Sequence, residues 1–415
     1  MPHVPAAVLS ETQALAGTVI FLASYVVFAL GKFPGLKIDR TGAAIIGAIA
    51  MTVFRVVPAR DAIRLVDFST IVLLFAMMLV VGALRLAGFF EWNVELVLRH
   101  LPPAMLLPAL IVTCGALSAF FVNDIVCLVM VPFALTLTQK LRLPALPFLL
   151  AVATSSNIGS VATITGNPQN MLIGSLSGLG YLYFLIHLAP VAAAGLLVNW
   201  LILRRLFFRQ LHRAAVPASA IPLPPLDLSH LIKPLLVAAG VVMAFLAGVP
   251  PAYAAAAGAA ILLISRSRDP RKLYAEIDWG LLVFFVGLFL IVGGAENAGV
   301  VDHLLLFARR WNLHTTTGFT AVTVLLSNLV SNVPAVMLLK SLVAGFPNPS
   351  RAWMVLAMAS TLAGNLTITG SVANLIVVET ARPTVHISFW DYFRVGLPIT
   401  AATILIGTLW LAFAT

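Results

Sequence analysis

Charge is scarce in this sequence. Asp, Glu, Lys and Arg make up 10% of its 415 residues, where a soluble domain carries about 25%. The rest is dominated by hydrophobic residues, 61% of the chain, with a mean hydropathy of +1.04. Such a chain cannot clothe a water-facing surface, which excludes soluble enzymes, secreted disulfide scaffolds and disordered tails. Cysteine is nearly missing as well. Cys114 and Cys127 lie in apolar stretches and read as small buried hydrophobes, and trigonal thiolate ligation of a soft metalloid needs a third thiol. The eight histidines lack metal-ligand spacing, so neither a metal site nor a cofactor is expected. Walker A, GxSxG and HExxH patterns are absent, which argues against an ATPase site and against an enzyme. Residues 1–11 hold no Lys or Arg, so the first apolar stretch, 12–31, reads as a retained helix and not a cleaved signal.

What remains is lipid-soluble length. A bilayer crossing takes about 20 apolar residues, and apolar segments run at 12–31, 41–54, 68–89, 102–138, 144–178 and 181–203. The stretch after Arg204 carries Pro217, Pro222, Pro224 and Pro225 and reads as an extended, solvated linker. Six further segments follow, at 234–249, 251–265, 279–300, 316–345, 352–378 and 387–413. The two series match residue against residue. DFSTIVLLFAMMLVVGALRLAG from Asp67 aligns with DWGLLVFFVGLFLIVGGAENAG from Asp278, SAFFVN at 118–123 with SNLVSN at 327–332, and TITGNPQN at 163–170 with TITGSVAN at 367–374. Three matches in one order make a duplication: a first repeat over 12–208, a linker over 209–232, assigned to the cytoplasm, and a second repeat over 233–415.

Two segments in each repeat cannot be plain helices. Segment 102–138 carries Asn123 and Asp124 at its middle, and segment 144–178 is interrupted by Gly166 and Pro168. Irregular backbone at membrane depth survives only when buried in protein or lining a cavity. The first segment is expected to be a re-entrant hairpin with its tip at Asn123, the second a discontinuous helix. The fold expected is therefore an all-α polytopic membrane protein, each repeat giving five transmembrane helices, one of them discontinuous, and one re-entrant hairpin. Five crossings are an odd number, so the repeats must be inverted. Basic residues mark the sides. Arg55, Arg60, Arg64, Arg309, Arg310, Lys340 and Arg351 fall on one side and the other 18 of the 25 on the opposite one. Positive charge stays in the cytoplasm, which puts both termini on the periplasmic side of a bacterial inner membrane. The formal charge of +10 thus signals orientation, not nucleic acid.

Paired interruptions in inverted repeats mark the binding site of a secondary transporter near the midplane. Four polar clusters qualify as substrate- or ion-binding: Ser118, Asn123 and Asp124; Ser155, Ser156 and Asn157 with Thr163, Thr165, Gly166, Asn167 and Asn170; Ser327, Asn328, Ser331 and Asn332; and Thr361, Asn365, Thr367, Thr369, Gly370, Ser371 and Asn374. Small polar residues also glue membrane helices together, and that alternative stands for any single member. Asp124 is distinctive because its repeat partner is Val333. An intramembrane carboxylate is costly; it can take a proton or a cation, or cap the second hairpin helix. Arg85 and Glu296 occupy equivalent positions inside apolar runs and read as structural ion-pair or snorkelling residues.

VNDIVCLVMVPFAL at 122–135, SNIGSVATITGNPQNMLIGSLSG at 156–178, SNLVSNVPAVMLL at 327–339, ASTLAGNLTITGSVANLIVVE at 359–379 and ISFWDYFRVGLP at 387–398 resemble the ion transporter superfamily, in its arsenical pump membrane protein (arsenite permease) and anion permease branch. The resemblance implies proton-driven antiport of arsenite or antimonite, and hence arsenical resistance, in some members with a separate cytoplasmic ATPase subunit. Carboxylate-carrying relatives imply a dimer and an elevator-like motion. The runner-up function is sodium- or proton-coupled transport of a dicarboxylate or other oxyanion, because half-helix dipoles can bind an anion without a basic side chain. Their Ser-Asn-Thr signatures fall on Val122-Asn123-Asp124 and Ser331-Asn332-Val333, which match only in part. Arsenous acid is neutral near pH 7 and carries three hydroxyls, so the cavity expected is one of Asn, Ser and Thr without Lys or Arg.

Overall fold

The computed structural model describes residues 9–31, 37–90, 92–93, 101–207, 228–264, 269–310 and 313–413; residues 209–227 of the proposed linker lie outside them. The described residues are helical and carry no strand. The first half contains α1 Glu11–Leu30, α2 Arg40–Val53, α3 Ala59–Leu65, α4 Phe68–Leu86, α5 Pro103–Phe120, α6 Asn123–Lys140, α7 Ala145–Ser160, α8 Pro168–Ser177 and α9 Tyr181–Leu206. The second contains α10 Leu228–Leu246, α11 Pro251–Leu263, α12 Pro270–Tyr274, α13 Trp279–Asn297, α14 Val300–Arg310, α15 Thr316–Val330, α16 Asn332–Val343, α17 Pro349–Ala363, α18 Val372–Ala381 and α19 Phe389–Phe413. Leu228 starts α10 inside the last residues of the stretch read as linker.

Local chemistry sets these boundaries. Asp67 and Asp278 cap the first turns of α4 and α13 through the backbone N–H groups of Ser69 and Leu281. Shortly past the ends of both helices the chain turns at Gly88 and Gly299, with φ of 75° and 78°, a conformation that costs glycine nothing. Among the described residues, five helices are long and apolar enough to cross a membrane: α1, α4, α9, α13 and α19. On α1, Leu15, Val19, Leu22, Val26 and Leu30 are exposed, so its outer face is apolar and suited to lipid tails.

The two suspect segments break as their residues require. α5 and α6 are separated by Phe121 and Val122, and α15 and α16 meet at Ser331, held at φ 77°. α7 stops at Ser160 and α8 starts at Pro168, while α17 stops at Ala363 and α18 starts at Val372 after a short 3-10 turn, Ile368–Gly370. A methyl group on Gly166 would overlap the Ser160 carbonyl, and one on Gly370 would sit 2.9 Å from the Gly364 carbonyl oxygen, so each break folds back on the end of its own helix. α7 also crosses α5 so closely that a side chain at Gly159 would strike the Gly115 backbone, the small-residue contact that lets membrane helices approach.

Contacts between the halves come in exchanged pairs. α2 packs on α13 as α11 packs on α4, and α6 packs on α18 as α16 packs on α8. Gly82 lies against Glu276, and Gly293 against Leu65. Arg85 pairs with Glu276 at 2.8 Å and Lys340 with Glu296 at 3.4 Å.

Candidate functional site

Buried amides tie the two breaks together. Asn170, 0% exposed, donates to the carbonyls of Ser160 and Thr163 at 3.0 Å each, and Asn374 spans the same intervals by donating to Gly364 and Thr367. Each clamp holds its broken strand of backbone in place of the missing helical bonds. Across the halves, Asn157 donates to Asn374 at 2.9 Å and to Asn365 at 3.0 Å, and accepts from Asn123 and Ser371, both at 3.0 Å. Thr361, its counterpart, donates to Asn170 at 3.4 Å and accepts from Asn167 at 3.2 Å and Gln169 at 3.3 Å. So Asn157 meets Ser371 and Asn374 as Thr361 meets Asn167 and Asn170.

The hairpin tips dock on this knot. The Asn123 N–H donates to the Gly166 carbonyl at 2.9 Å. Thr163 donates to the Ala119 carbonyl, and Thr165 shares a bond with the Tyr181 hydroxyl at 2.9 Å. On the other side, the Asn332 amide, turned to satisfy its neighbours, donates to the carbonyls of Ser360 at 3.0 Å and Gly370 at 3.3 Å and accepts from Gln169. Cys127 donates to Ser156 at 3.0 Å.

Against the knot lies a cavity of about 340 Å³. Both hairpin tips reach it, through Asn123 and Asp124 and through Ser331, Asn332, Val333 and Pro334. Both half-helix N-termini reach it too, through Pro168 and Gln169 and through Ser371 and Val372. The opposite wall is the start of α2, Asp39–Thr41, and the start of α13 with Asp278, Gly280, Leu281 and Phe284. Four charged side chains line it: Asp39, Arg40, Asp124 and Asp278. The Arg40 guanidinium is fixed by its Nε, which donates to the Phe28 carbonyl at 3.1 Å.

The expected site residues therefore separate into four sets. Asn123, Asp124, Ser331, Asn332 and Ser371 line the cavity. Ser156, Asn157, Thr163, Thr165, Gly166, Asn167, Asn170, Asn365, Gly370 and Asn374 stand behind it as a buried frame. Thr367 and Thr369 bond each other at the outer edge of the second break, where Thr369 is exposed. Ser118 and Ser327, on the first arms of the two hairpins, are both 0% exposed, and neither hydroxyl has a hydrogen-bond partner. Asp124 caps nothing, since no side chain caps α6.

One expectation is overturned: the cavity is not free of Lys and Arg, because the start of α2 brings Arg40 into its wall. Sequence reasoning also missed Asp39, Gln169 and Asp278. Asp278 was legible as the capping aspartate of the aligned DFST and DWGL segments, and Gln169 stood inside the quoted GNPQN motif. Asp39 and Arg40 carried no such signal, being a helix start among loop charges. Among the described residues no three His, Cys, Asp or Glu side chains are grouped to hold a metal.

The sequence profile described as citrate transporter matches residues 25–347. The chain is 32% identical over 475 residues to the silicon efflux transporter LSI3 of Oryza sativa subsp. japonica, covering 97% of this chain and 98% of that one. It is 29% identical over 429 residues to the uncharacterized transporter Rv2684 of Mycobacterium tuberculosis, covering 96% and 98%. It is 24% identical over 489 residues to a Dictyostelium discoideum transporter named arsB, covering 90% and 87%. In fold it is similar to the crystal structure of the Alcanivorax borkumensis YdaH transporter, with a TM-score of 0.59 at 13% identity over 97% of this chain and 98% of that one.

Proposed function

The chain belongs to the citrate transporter family, and on that premise we propose that it exports a small neutral metalloid acid, arsenous or antimonous acid first among them, in exchange for protons. It is a membrane transporter and not an enzyme. The observation that carries the substrate reading is the balance of donors and acceptors in the cavity. Three carboxylates face one guanidinium, and the side-chain oxygen of Asn123, a residue 2% exposed, has no donor. Unmatched buried acceptors favour a ligand that brings O–H groups, and surplus negative charge disfavours one that brings carboxylates. The N-terminus of α18 has no side-chain cap, because Ser371 donates to Asn157 instead. Its free N–H groups suit the lone pairs of the same hydroxylated solute.

In this reading the two halves are inverted in the bilayer and the cavity faces the cytoplasm, since Asp39, Arg40 and Asp278 adjoin loops rich in basic residues. Both termini are periplasmic, and the bacterial inner membrane is the location. A proton gradient suffices as the energy source, so a cytoplasmic ATPase subunit is an accessory. Relatives named for silicon efflux and arsB support this class of solute.

A second reading, sodium- or proton-coupled transport of a carboxylate, draws on Arg40 and on the family's citrate name. Everted vesicles given an acid lumen distinguish the two with a panel of arsenite, antimonite, silicate, succinate and citrate. Accumulation of arsenite above empty vesicles is expected. Accumulation of the carboxylates alone would replace the first reading with the second.

A further inference from the structure

The two halves part company at two aspartates, and both differences open onto one cavity. Asp124 has Val333 as its counterpart. Asp278 has Asp67, but the two carboxylates are not held alike. Asp67, 8% exposed, accepts from the Ser69 N–H at 3.1 Å and from the Thr70 hydroxyl at 2.7 Å, so both its oxygens are engaged. Asp278 accepts from the Leu281 N–H at 2.9 Å through Oδ1. The position matching Thr70 is Leu281, which has no hydroxyl, and this leaves Oδ2 of an exposed carboxylate to the cavity.

A second cavity, of about 330 Å³, sharpens the contrast. Its wall includes Ser69, Leu73, Pro250 and Pro251, the counterparts of Gly280, Phe284, Asp39 and Arg40. It contains no charged side chain. Equivalent walls of the two halves thus differ in chemistry: one is charged and the other neutral.

We propose that Asp278 is a coupling residue that works with Asp124, accepting the proton that Asp124 gives up as solute enters from the cytoplasm and passing it to cytoplasmic water. This rests on the proton-coupled reading above. Asp124 stands on a hairpin tip and Asp278 on the facing wall of one cavity. Beside Asp124, Asn123 also lines the cavity, and its side-chain oxygen is buried without a donor. The other charged groups facing the pair are Asp39, whose Oδ1 is taken by the Gly42 N–H at 2.8 Å, and Arg40, tied to the Phe28 carbonyl. Arg40 cannot take up a proton, and Asp39 differs from Asp278 in preceding Arg40 and in having a proline, Pro250, at its matching position. Because the neutral wall has no counterpart, the handover exists on one side only, which makes export the direction in which protons and solute are matched.

The test measures proton and arsenite fluxes together in proteoliposomes of the full chain. Asp278→Asn is expected to lower the proton-to-arsenite ratio at least tenfold. Leu281→Thr, which restores the hydroxyl that occupies Asp67, is expected to lower it two- to threefold. Asp67→Asn is expected to reduce folded yield and leave the ratio of the surviving protein at the wild-type value. A wild-type ratio in Asp278→Asn overturns the proposal. A solute-free readout separates this failure from that of the substrate assignment. In infrared titration of the purified protein, the carboxyl band lost in Asp124→Asn should move its midpoint by about half a pH unit or more in Asp278→Asn, as neighbouring carboxylates require. A band that does not move overturns the pairing whatever solute is carried.

Discussion

The break between α7 and α8 and the break between α17 and α18 have nearly the same backbone and opposite habits. The first closes on itself: Asn167 caps α8 by accepting from the Asn170 N–H, and Thr70 occupies the aspartate at the start of α4. The second stays open: Ser371 turns away to Asn157, α18 is left without a side-chain cap, and Leu281 leaves Asp278 half engaged. Both breaks serve the architecture, and the second also leaves its half-helix N-terminus and the facing aspartate with free groups. Those groups gather at one cavity, where a polar solute can complete them at less cost than the protein would incur by burying them alone.

The comparison can be broken at its functional end first. Asp124→Asn is expected to abolish proton-driven arsenite accumulation in everted vesicles while the protein still inserts. Unchanged transport in Asp124→Asn would make that carboxylate an ornament of the hairpin.

Next comes the frame. Asn157→Ala strips four side-chain bonds from a residue 1% exposed. At about 0.6 kcal/mol for each bond within a membrane protein, the loss is about 2 to 3 kcal/mol. Thr361→Val strips three longer bonds and should cost about 1 to 2 kcal/mol. Denaturation in detergent followed by fluorescence ranks the two; an equal or reversed order would mean that the exchanged contacts do not carry the difference described.

The glycines give a finer contrast. Gly166→Ala forces a methyl into the Ser160 carbonyl, whereas Gly370→Ala meets the Gly364 oxygen at 2.9 Å. Overpacking of this kind costs about 1 to 3 kcal/mol, with the first expected near the top of the range and the second near the bottom, read as a shift in thermal midpoint. Smallest of all, Arg85→Ala removes a 2.8 Å pair whose Arg85 side chain is 37% exposed. Solvent screening holds such a pair to about 1 kcal/mol or less. A double-mutant cycle with Glu276→Ala measures it, and coupling well above that would place the pair in a drier setting.

The break between α7 and α8 was legible because Gly166 and Pro168 cannot continue a helix, and the break between α17 and α18 because TITG and the closing Asn recur there. The break between α5 and α6 was legible from Asn123 and Asp124 in an apolar run. The division of labour among polar residues was not. Asn157 and Asn123 look alike in a sequence, yet one is buried in the frame and the other borders the cavity, because depth within a knot of helices depends on packing between distant segments. Arg40 was missed for the same reason: its place is set by α2 packing on α13, more than 200 residues downstream. Asp278 could be read as a cap, but its free oxygen depends on what Leu281 lacks, a difference visible only when the two halves are laid side by side.

Antimony scatters electrons strongly enough to locate itself. A cryo-electron microscopy map of the protein with antimonite should place the metalloid in the cavity bounded by Asn123, Asp124, Gln169, Asn332 and Ser371. Density for it elsewhere, from protein shown to transport antimonite, would contradict the site assigned to the meeting of the two breaks.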